Sequence, residues 1–159
     1  MAQSVTGSWD ALYAVCVQLY TGSGQQSVLV SAGDPGVYEP DLIVAVMGVE
    51  APITKPVMAT TRPDDERITI HVLFSAFVAG GMEAQQPANQ LAWAASDQLK
   101  AYFKVNGNEK LSGACYNAKL TNRTMTPQIV WADEDGIEDP SPIGRVALVD
   151  VSVEIWIRS

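Results

Sequence analysis

His71 is the only histidine of the chain, and it is the first side chain to test as a catalytic base or a metal ligand. It lies between Ile70 and Val72 in a run with the two-residue period of a β-strand. With one histidine, a Ser-His-Asp site has one possible base, and nothing in the sequence places a nucleophile beside it. Zinc sites built from several histidines or from four cysteines are excluded as well. The sequence therefore predicts a structural or interface role for His71.

Two groups of acidic residues invite comparison with cation sites and with catalytic carboxylate pairs. Segment 133–139 (DEDGIED) has no glycine at the sixth position from Asp133, where an EF-hand loop requires one. Asp64, Asp65 and Glu66 are adjacent and flanked by arginines, which is more typical of surface charge than of a hydrolytic pair. We interpret both groups as solvated loop charge.

Glycine and cysteine patterns add no reactive site. Segment 21–27 contains Gly22 and Gly24 but lacks the third glycine of a dinucleotide-binding loop, and it follows a helical pattern rather than a strand. Cys16 and Cys115 are expected to be buried thiols of a reducing compartment, although the sequence leaves a disulfide between them open. We predict no catalytic residue, no cofactor and no metal site, and therefore no enzyme.

The charge balance restricts the partners of the chain. Eighteen Asp and Glu residues against ten Lys and Arg residues give a net charge of −8. Such a surface repels nucleic-acid phosphates and anionic membranes. The basic residues are scattered singly, so the four tryptophans have no basic groove beside them for stacking bases. The N-terminus has no secretory pattern and no apolar run reaches about 18 residues, so we expect a protein made in a cytoplasm, with no membrane span.

Length and composition predict one folded domain over 1–159. Hydrophobic residues make up 47% of the chain and charged residues 18%, which is typical of a globular protein. The charged fraction is low for a free monomer of this size. A subunit whose surface is partly covered by neighbours needs fewer charges.

Two long alternating strands, Arg67–Val78 and Arg145–Ile157, are predicted to organise the domain. Each has one continuously apolar side and one mixed side. We call the second side the mixed face; it carries Arg67, Thr69, His71, Leu73, Ser75 and Phe77 on the first strand and Leu148, Asp150, Ser152, Glu154 and Trp156 on the second. A face that is only half suited to water predicts a protein partner.

The remaining elements predict an α+β fold. Helices are expected over 9–20, with Ser8 as the N-cap, and over 85–105. Shorter strands are expected over 27–31, 41–49 and 115–125, with 127–131 continuing the last one after a bend. Few helices and many neighbouring strands favour a mixed, mostly antiparallel sheet with both helices on one face.

One long connection interrupts this pattern. Segment Glu50–Glu66 contains Pro52, Pro56 and Pro63, which argue against regular structure. Because it joins two strands, we expect an extended arm at about 50–66, of the kind that is usually functional.

The order of these segments resembles the tail terminator proteins of long-tailed bacteriophages. The resemblance rests on the helix SWDALYAVCVQLY, the turn and strand GDPGVYEPDLIVAVMGVEAP, the strand RITIHVLFSAFVAGG followed by the helix LAWAASDQLKAYF, and the closing strand GRVALVDVSVEIWI. It covers most of the chain as an ordered series, and the join of strand, Gly-Gly and helix carries much of it.

The resemblance implies a non-enzymatic virion protein that forms a hexameric ring on the end of the finished tail tube. Such a ring stops tube polymerisation, offers a surface to the head-tail connector protein and lets DNA pass through without specific binding. Its place is the head-tail interface of the virion, after assembly in the host cytoplasm. For contacts between subunits we predict the mixed face and the arm, with interface residues Pro52, Pro56, Arg62, Asp64, Asp65, His71 and Trp156.

Other functions fit the same residues. Another component of that machine is one alternative, either a head-tail stopper or a tail tube subunit; a tube subunit would grow filaments rather than single rings. A small ligand-binding α+β domain or enzyme is the other. It requires an apolar pocket with convergent polar groups, and an activity that is lost when His71, Asp150 or Glu154 is changed.

Overall fold

A computed structural model of the chain describes residues 3–21, 28–34, 41–51, 65–131 and 142–158. Among these residues there are two α-helices and five strands: α1 (Val5–Tyr20), β1 (Val28–Ala32), β2 (Leu42–Glu50), β3 (Asp65–Ala79), α2 (Gln85–Lys104), β4 (Asn117–Trp131) and β5 (Pro142–Arg158). The strands form one sheet in the order β1-β2-β3-β5-β4. β1 is parallel to β2, and the other neighbours are antiparallel. The predicted α+β fold with a mixed, mostly antiparallel sheet is confirmed.

The alternation along β3 and β5 divides the sheet into two faces. On one face the side chains are buried, namely Ile68, Ile70, Val72, Phe74 and Ala76 of β3 and Ala147, Val149, Val151, Val153, Ile155 and Ile157 of β5. They form a single hydrophobic cluster with buried residues of both helices, such as Leu12, Tyr20 and Leu99. Burial of this apolar surface is the main stabilising contribution to the fold.

Tyr20 joins the two helices to the sheet. Its ring meets Phe74 edge-on with the centroids 5.7 Å apart, and its hydroxyl donates to the Ala95 carbonyl at 2.5 Å. On the other side of α2, the guanidinium of Arg123 lies 4.0 Å from the centre of the Trp93 ring. Through these contacts α1 packs against β3 and α2, and α2 packs against β4.

The start of α1 differs from the prediction. Ser4, rather than Ser8, is the N-cap, and its hydroxyl accepts a hydrogen bond from the Gly7 amide at 3.0 Å. Ser8 lies one turn inside the helix, where it is fully buried and donates to the Ala114 carbonyl at 3.0 Å. A capping hydroxyl at either serine satisfies a free amide equally well. The packing of Val5 against the core favours the longer helix.

The bend predicted near residue 126 is absent. β4 continues through Pro127, which lies opposite Ala147 of β5. Proline has no N–H to donate, so it is tolerated in an edge strand, and β4 is the last strand of the sheet. The pairing of β4 with β5 shifts register between Leu120 and Asn122 and again between Val130 and Trp131.

The two cysteines give a first test of the fold. Both are free and buried, and burial raises the pKa of Cys16 from 9.0 to about 12 and that of Cys115 to about 11. Because the thiolate is the nucleophile, both thiols should react far more slowly with a disulfide reagent in native protein than in denaturant. The unfolded thiols ionise above about pH 9 while the folded ones stay protonated, so the free energy of unfolding should fall as pH rises beyond that value.

The absorbance of the thiol that a cysteine releases from the disulfide reagent measures how fast Cys16 and Cys115 react. Two fast equivalents are expected in guanidinium and none in native buffer at about pH 8. Fast native labelling of either cysteine would contradict its burial. A Cys115→Ser variant assigns the remaining signal to Cys16.

Candidate functional site

The mixed face lies opposite the hydrophobic core and is built from paired rows of β3 and β5. The rows are Phe77–Val146, Ser75–Leu148, Leu73–Asp150, His71–Ser152, Thr69–Glu154 and Arg67–Trp156. All of these residues are half-buried, apart from the exposed Arg67 and Asp150. We call the rows from Phe77 to Leu73 the apolar half and the rows from His71 to Arg67 the polar half.

In the apolar half a glycine lies under an aromatic ring. A Cβ added to Gly144 would lie 2.6 Å from Cζ of Phe77 and 2.8 Å from the Val78 carbonyl oxygen. The ring of Phe77 therefore rests on the backbone of β5, and a side chain at position 144 would collide with it.

Gly144→Ala tests this arrangement. The added methyl group must push away both the ring and a backbone carbonyl, so we expect a loss of about 1–3 kcal/mol in the free energy of unfolding. Urea denaturation followed by tryptophan fluorescence measures it. Gly33→Ala is a poor control because its φ is +88°, whereas Gly48 has open space around it and serves instead. Equal costs at Gly144 and Gly48 would contradict the close packing.

A β-bulge in β2 adds Glu50 to the polar half. Val46 lies opposite Val72 and Val49 lies opposite Ile70, so β2 has one more residue than β3 between these pairs. In a regular strand Glu50 would point towards the core, but the extra residue turns it to the mixed face, opposite Thr69. Sequence reasoning missed Glu50; a glycine within a strand pattern, here Gly48, is the signal that indicates such a bulge.

His71 lies between two carboxylates. Its Nε2 is 3.3 Å from Oε1 of Glu50, and its Nδ1 is 3.5 Å from Oδ1 of Asp150. Nδ1 is buried and has no hydrogen bond of good geometry within the described part of the chain. A neutral imidazole carries one N–H and can satisfy only one of the two carboxylates, whereas the imidazolium can donate to both. Ser152 of β5 lies directly opposite His71 on the same face.

Trp156 closes the other end of the polar half. Its indole N–H donates to Oε1 of Glu154 at 2.9 Å, and its ring meets Tyr116 edge-on at 6.2 Å. The guanidinium of Arg158 lies 4.3 Å from the centre of the Tyr116 ring. With its polar atom already bonded inside the subunit, the half-buried indole is free to cover apolar surface of a partner.

A cleft lies in the polar half of the mixed face. A cleft of about 410 Å³ beside His71 is lined by Glu50, Ala51, Arg67, Thr69 and Glu154. These walls are polar, whereas small-molecule sites are mainly apolar with a few polar groups. Across the described ranges, no three His, Cys, Asp or Glu side chains are placed to hold a metal ion.

The predicted interface residues divide into three sets. His71 and Trp156 lie on the mixed face, as expected from the alternation. Asp65 is the first residue of β3, where its backbone pairs with Arg158. Glu50 belongs to β2, and residues 52–64 of the predicted arm at about 50–66 lie outside the described residues, so the arm stays a prediction. The other four, Pro52, Pro56, Arg62 and Asp64, lie outside the described residues.

Neither described helix is long and apolar enough to cross a membrane. In comparisons with known proteins, no family model and no curated sequence matches the chain.

Proposed function

We propose that the chain is a structural subunit that forms a ring and caps the tail tube of a bacteriophage. The observation that carries the proposal is the mixed face, where Leu73, Phe77 and Leu148 remain half exposed on a sheet whose other face is already covered. A second copy of the chain is the partner that would complete their burial. The segment order that resembles tail terminator proteins points to the same assembly.

The sheet face that contains the mixed face is large enough for a stable contact. The β3–β5 ladder has 15 pairs. At about 3.3 Å per residue and about 4.8 Å per strand, these two strands cover roughly 500 Å² and the whole five-stranded face covers roughly 1,000 Å². A standard interface buries about 800 Å² on each partner. The face is therefore large enough for one neighbouring subunit.

The two halves of the face have separate parts in this proposal. Burial of the apolar half contributes affinity, at about 25 cal/mol per Å² of apolar surface. The polar half, with Glu50 and His71, and the adjoining Asp150 contribute register and orientation, since buried charges must meet complementary groups. When two copies touch through different patches, repetition of the contact closes a ring if the rotation between neighbouring copies is a whole fraction of a full turn. A hexamer is the expected size.

The charge of the assembly agrees with passage of DNA through the ring. Each subunit has a net charge of −8, so six copies carry about −48. Such a channel repels phosphates and does not bind DNA. The proposed partners are other copies of the chain, the tail tube protein and the head-tail connector protein, and no enzymatic activity is proposed.

Electron microscopy of particles assembled without this protein tests the function. We expect tails of uncontrolled length that are not attached to heads. Normal tails joined to heads would overturn the proposal. Purified protein mixed with tube protein should give single rings on tube ends; filaments grown from the protein alone would identify a tube subunit instead.

A further inference from the structure

Arg145 is a partly buried basic residue near the start of β5. Its Nε atom is buried and makes no hydrogen bond within the described ranges. It also takes part in none of the three ion pairs found among those residues. A buried donor without a partner is rare in proteins and calls for an explanation, of which a missing ligand is one.

Arg145 lies on the opposite side of the sheet from the mixed face. It pairs with Val78 of β3 and with Ile129 of β4, at the end of the sheet where α2 begins. There it lines a cleft of about 580 Å³ together with Gln85, Pro127, Gln128 and Ile129. The cleft and the mixed face can therefore be occupied at the same time.

The walls of the cleft combine a fixed polar group with apolar surface. The amide nitrogen of Gln85 is held by Oδ1 of Asn89 at 2.9 Å and by the Val146 carbonyl at 3.4 Å. Ile129 is 40% exposed, which is unusual for an isoleucine in a strand. A ligand of this cleft must accept hydrogen bonds at one point and offer an aliphatic group at another.

Glu83 is a carboxylate that interacts with the charge of Arg145. It accepts a hydrogen bond from the Gly81 amide at 3.0 Å. Backbone amides of Glu83 and Gly81 lower its pKa first, and the positive charge of Arg145 contributes less. No ion pair joins the two side chains within the described ranges, and Arg145 lines the cleft with a guanidinium that carries five N–H donors.

We propose that this cleft binds an acidic segment of a partner protein, with an aspartate or glutamate carboxylate on Arg145 and a neighbouring aliphatic side chain on Ile129 and Pro127. Guanidinium and carboxylate form paired, charge-assisted hydrogen bonds, and a small rotation of the guanidinium would also engage the unpaired Nε. The proposal does not depend on ring formation.

A nucleic acid is a poorer occupant than an acidic peptide. Phosphate backbones are bound by several cations, and among the described residues that line the cleft Arg145 is the one basic side chain. The net charge of −8 repels a polyanion but opposes a single carboxylate much less. The apolar wall formed by Ile129 and Pro127 also makes no favourable contact with a phosphate.

Nuclear magnetic resonance titration with two peptides tests the proposal. The probes are acetyl-Leu-Glu-Leu-amide and acetyl-Leu-Gln-Leu-amide, with inorganic phosphate as a third ligand. We expect the glutamate peptide to shift the Nε–H signal of Arg145 and the signals of Gln85 and Ile129, and to bind about tenfold more tightly than the glutamine peptide. Equal binding of the two peptides, or tighter binding of phosphate, would overturn the proposal.

Matched variants separate the guanidinium from general charge. Arg145→Gln should lower the affinity for the glutamate peptide about tenfold. Arg145→Lys should lower it by less, because an ammonium keeps the positive charge although it cannot form the paired hydrogen bonds of a guanidinium. Lys110→Gln removes one charge at the far end of α2, in the exposed turn Asn108–Gly113, and should leave binding unchanged. A loss in Lys110→Gln as large as in Arg145→Gln would also overturn it. The comparison of peptides on the unmodified protein remains decisive if an Arg145 variant does not fold.

Discussion

Leu73→Lys is expected to abolish assembly while the subunit stays folded. Leu73 is half-buried on the mixed face, opposite Asp150, so the new ammonium can reach water in the free subunit. In an assembled ring the same charge would be buried against a neighbour, at a cost of several kcal/mol per contact. A cost of about 3 kcal/mol weakens each contact roughly 100-fold. Light scattering should report particles of one 17.1 kDa subunit in place of the ring.

The measurement is made in the presence of tube protein, because some rings close only on their target. Ala101→Lys adds the same charge to an exposed position of α2 and should assemble like the unmodified protein. Circular dichroism and thermal unfolding confirm that both variants are folded. If Leu73→Lys assembles at the same concentration as Ala101→Lys, the mixed face is not the contact.

Phe74→Ala, one residue away, should act on the fold instead. Phe74 is fully buried and packs against Tyr20, so its removal leaves a cavity between the helices and the sheet. Loss of a buried phenylalanine costs about 3–5 kcal/mol, a large part of the 5–15 kcal/mol typical of a domain. Urea denaturation measures the change in midpoint and in the free energy of unfolding.

Phe77→Ala is the matched control for this substitution. It removes the same atoms from a ring that is only half-buried, so a cost of roughly 1–2 kcal/mol is expected. Similar costs for Phe74 and Phe77 would show that the two faces of β3 are wrongly assigned. The three variants in β3 together separate stability from assembly within five consecutive residues.

The faces of the long strands could be predicted from the sequence because a strand has a strict two-residue period. Ile70 and Val72 lie on the core side and His71 between them on the mixed face, as the alternation required. The predicted fold class followed from the same pattern. Local capping was less certain, since Ser4 and Ser8 offer the same hydroxyl and only the packing of Val5 favours the first.

The candidate site was harder to predict, because its parts come from distant segments. Glu50 lies beside His71 only because β2 contains a bulge, and Gly48 is the one sign of that bulge in the sequence. The unpaired state of Arg145 depends on which side chains surround it in three dimensions. A sequence pattern reports the direction of a side chain along its own strand, but not the neighbours that other strands bring to it.

Because of its bulge, β2 contains one residue more than its pairing with β3 requires. Without Gly48 the strand would run straight, and Val49 and Glu50 would keep Ile70 and Thr69 as their neighbours across the ladder. The shorter strand would instead displace the Met47 carbonyl oxygen, which accepts a hydrogen bond from the indole N–H of Trp9 at 2.9 Å. A second inserted residue would have to be left out of the ladder for Val49 and Glu50 to keep these neighbours, so this strand tolerates the loss of a residue better than the addition of one.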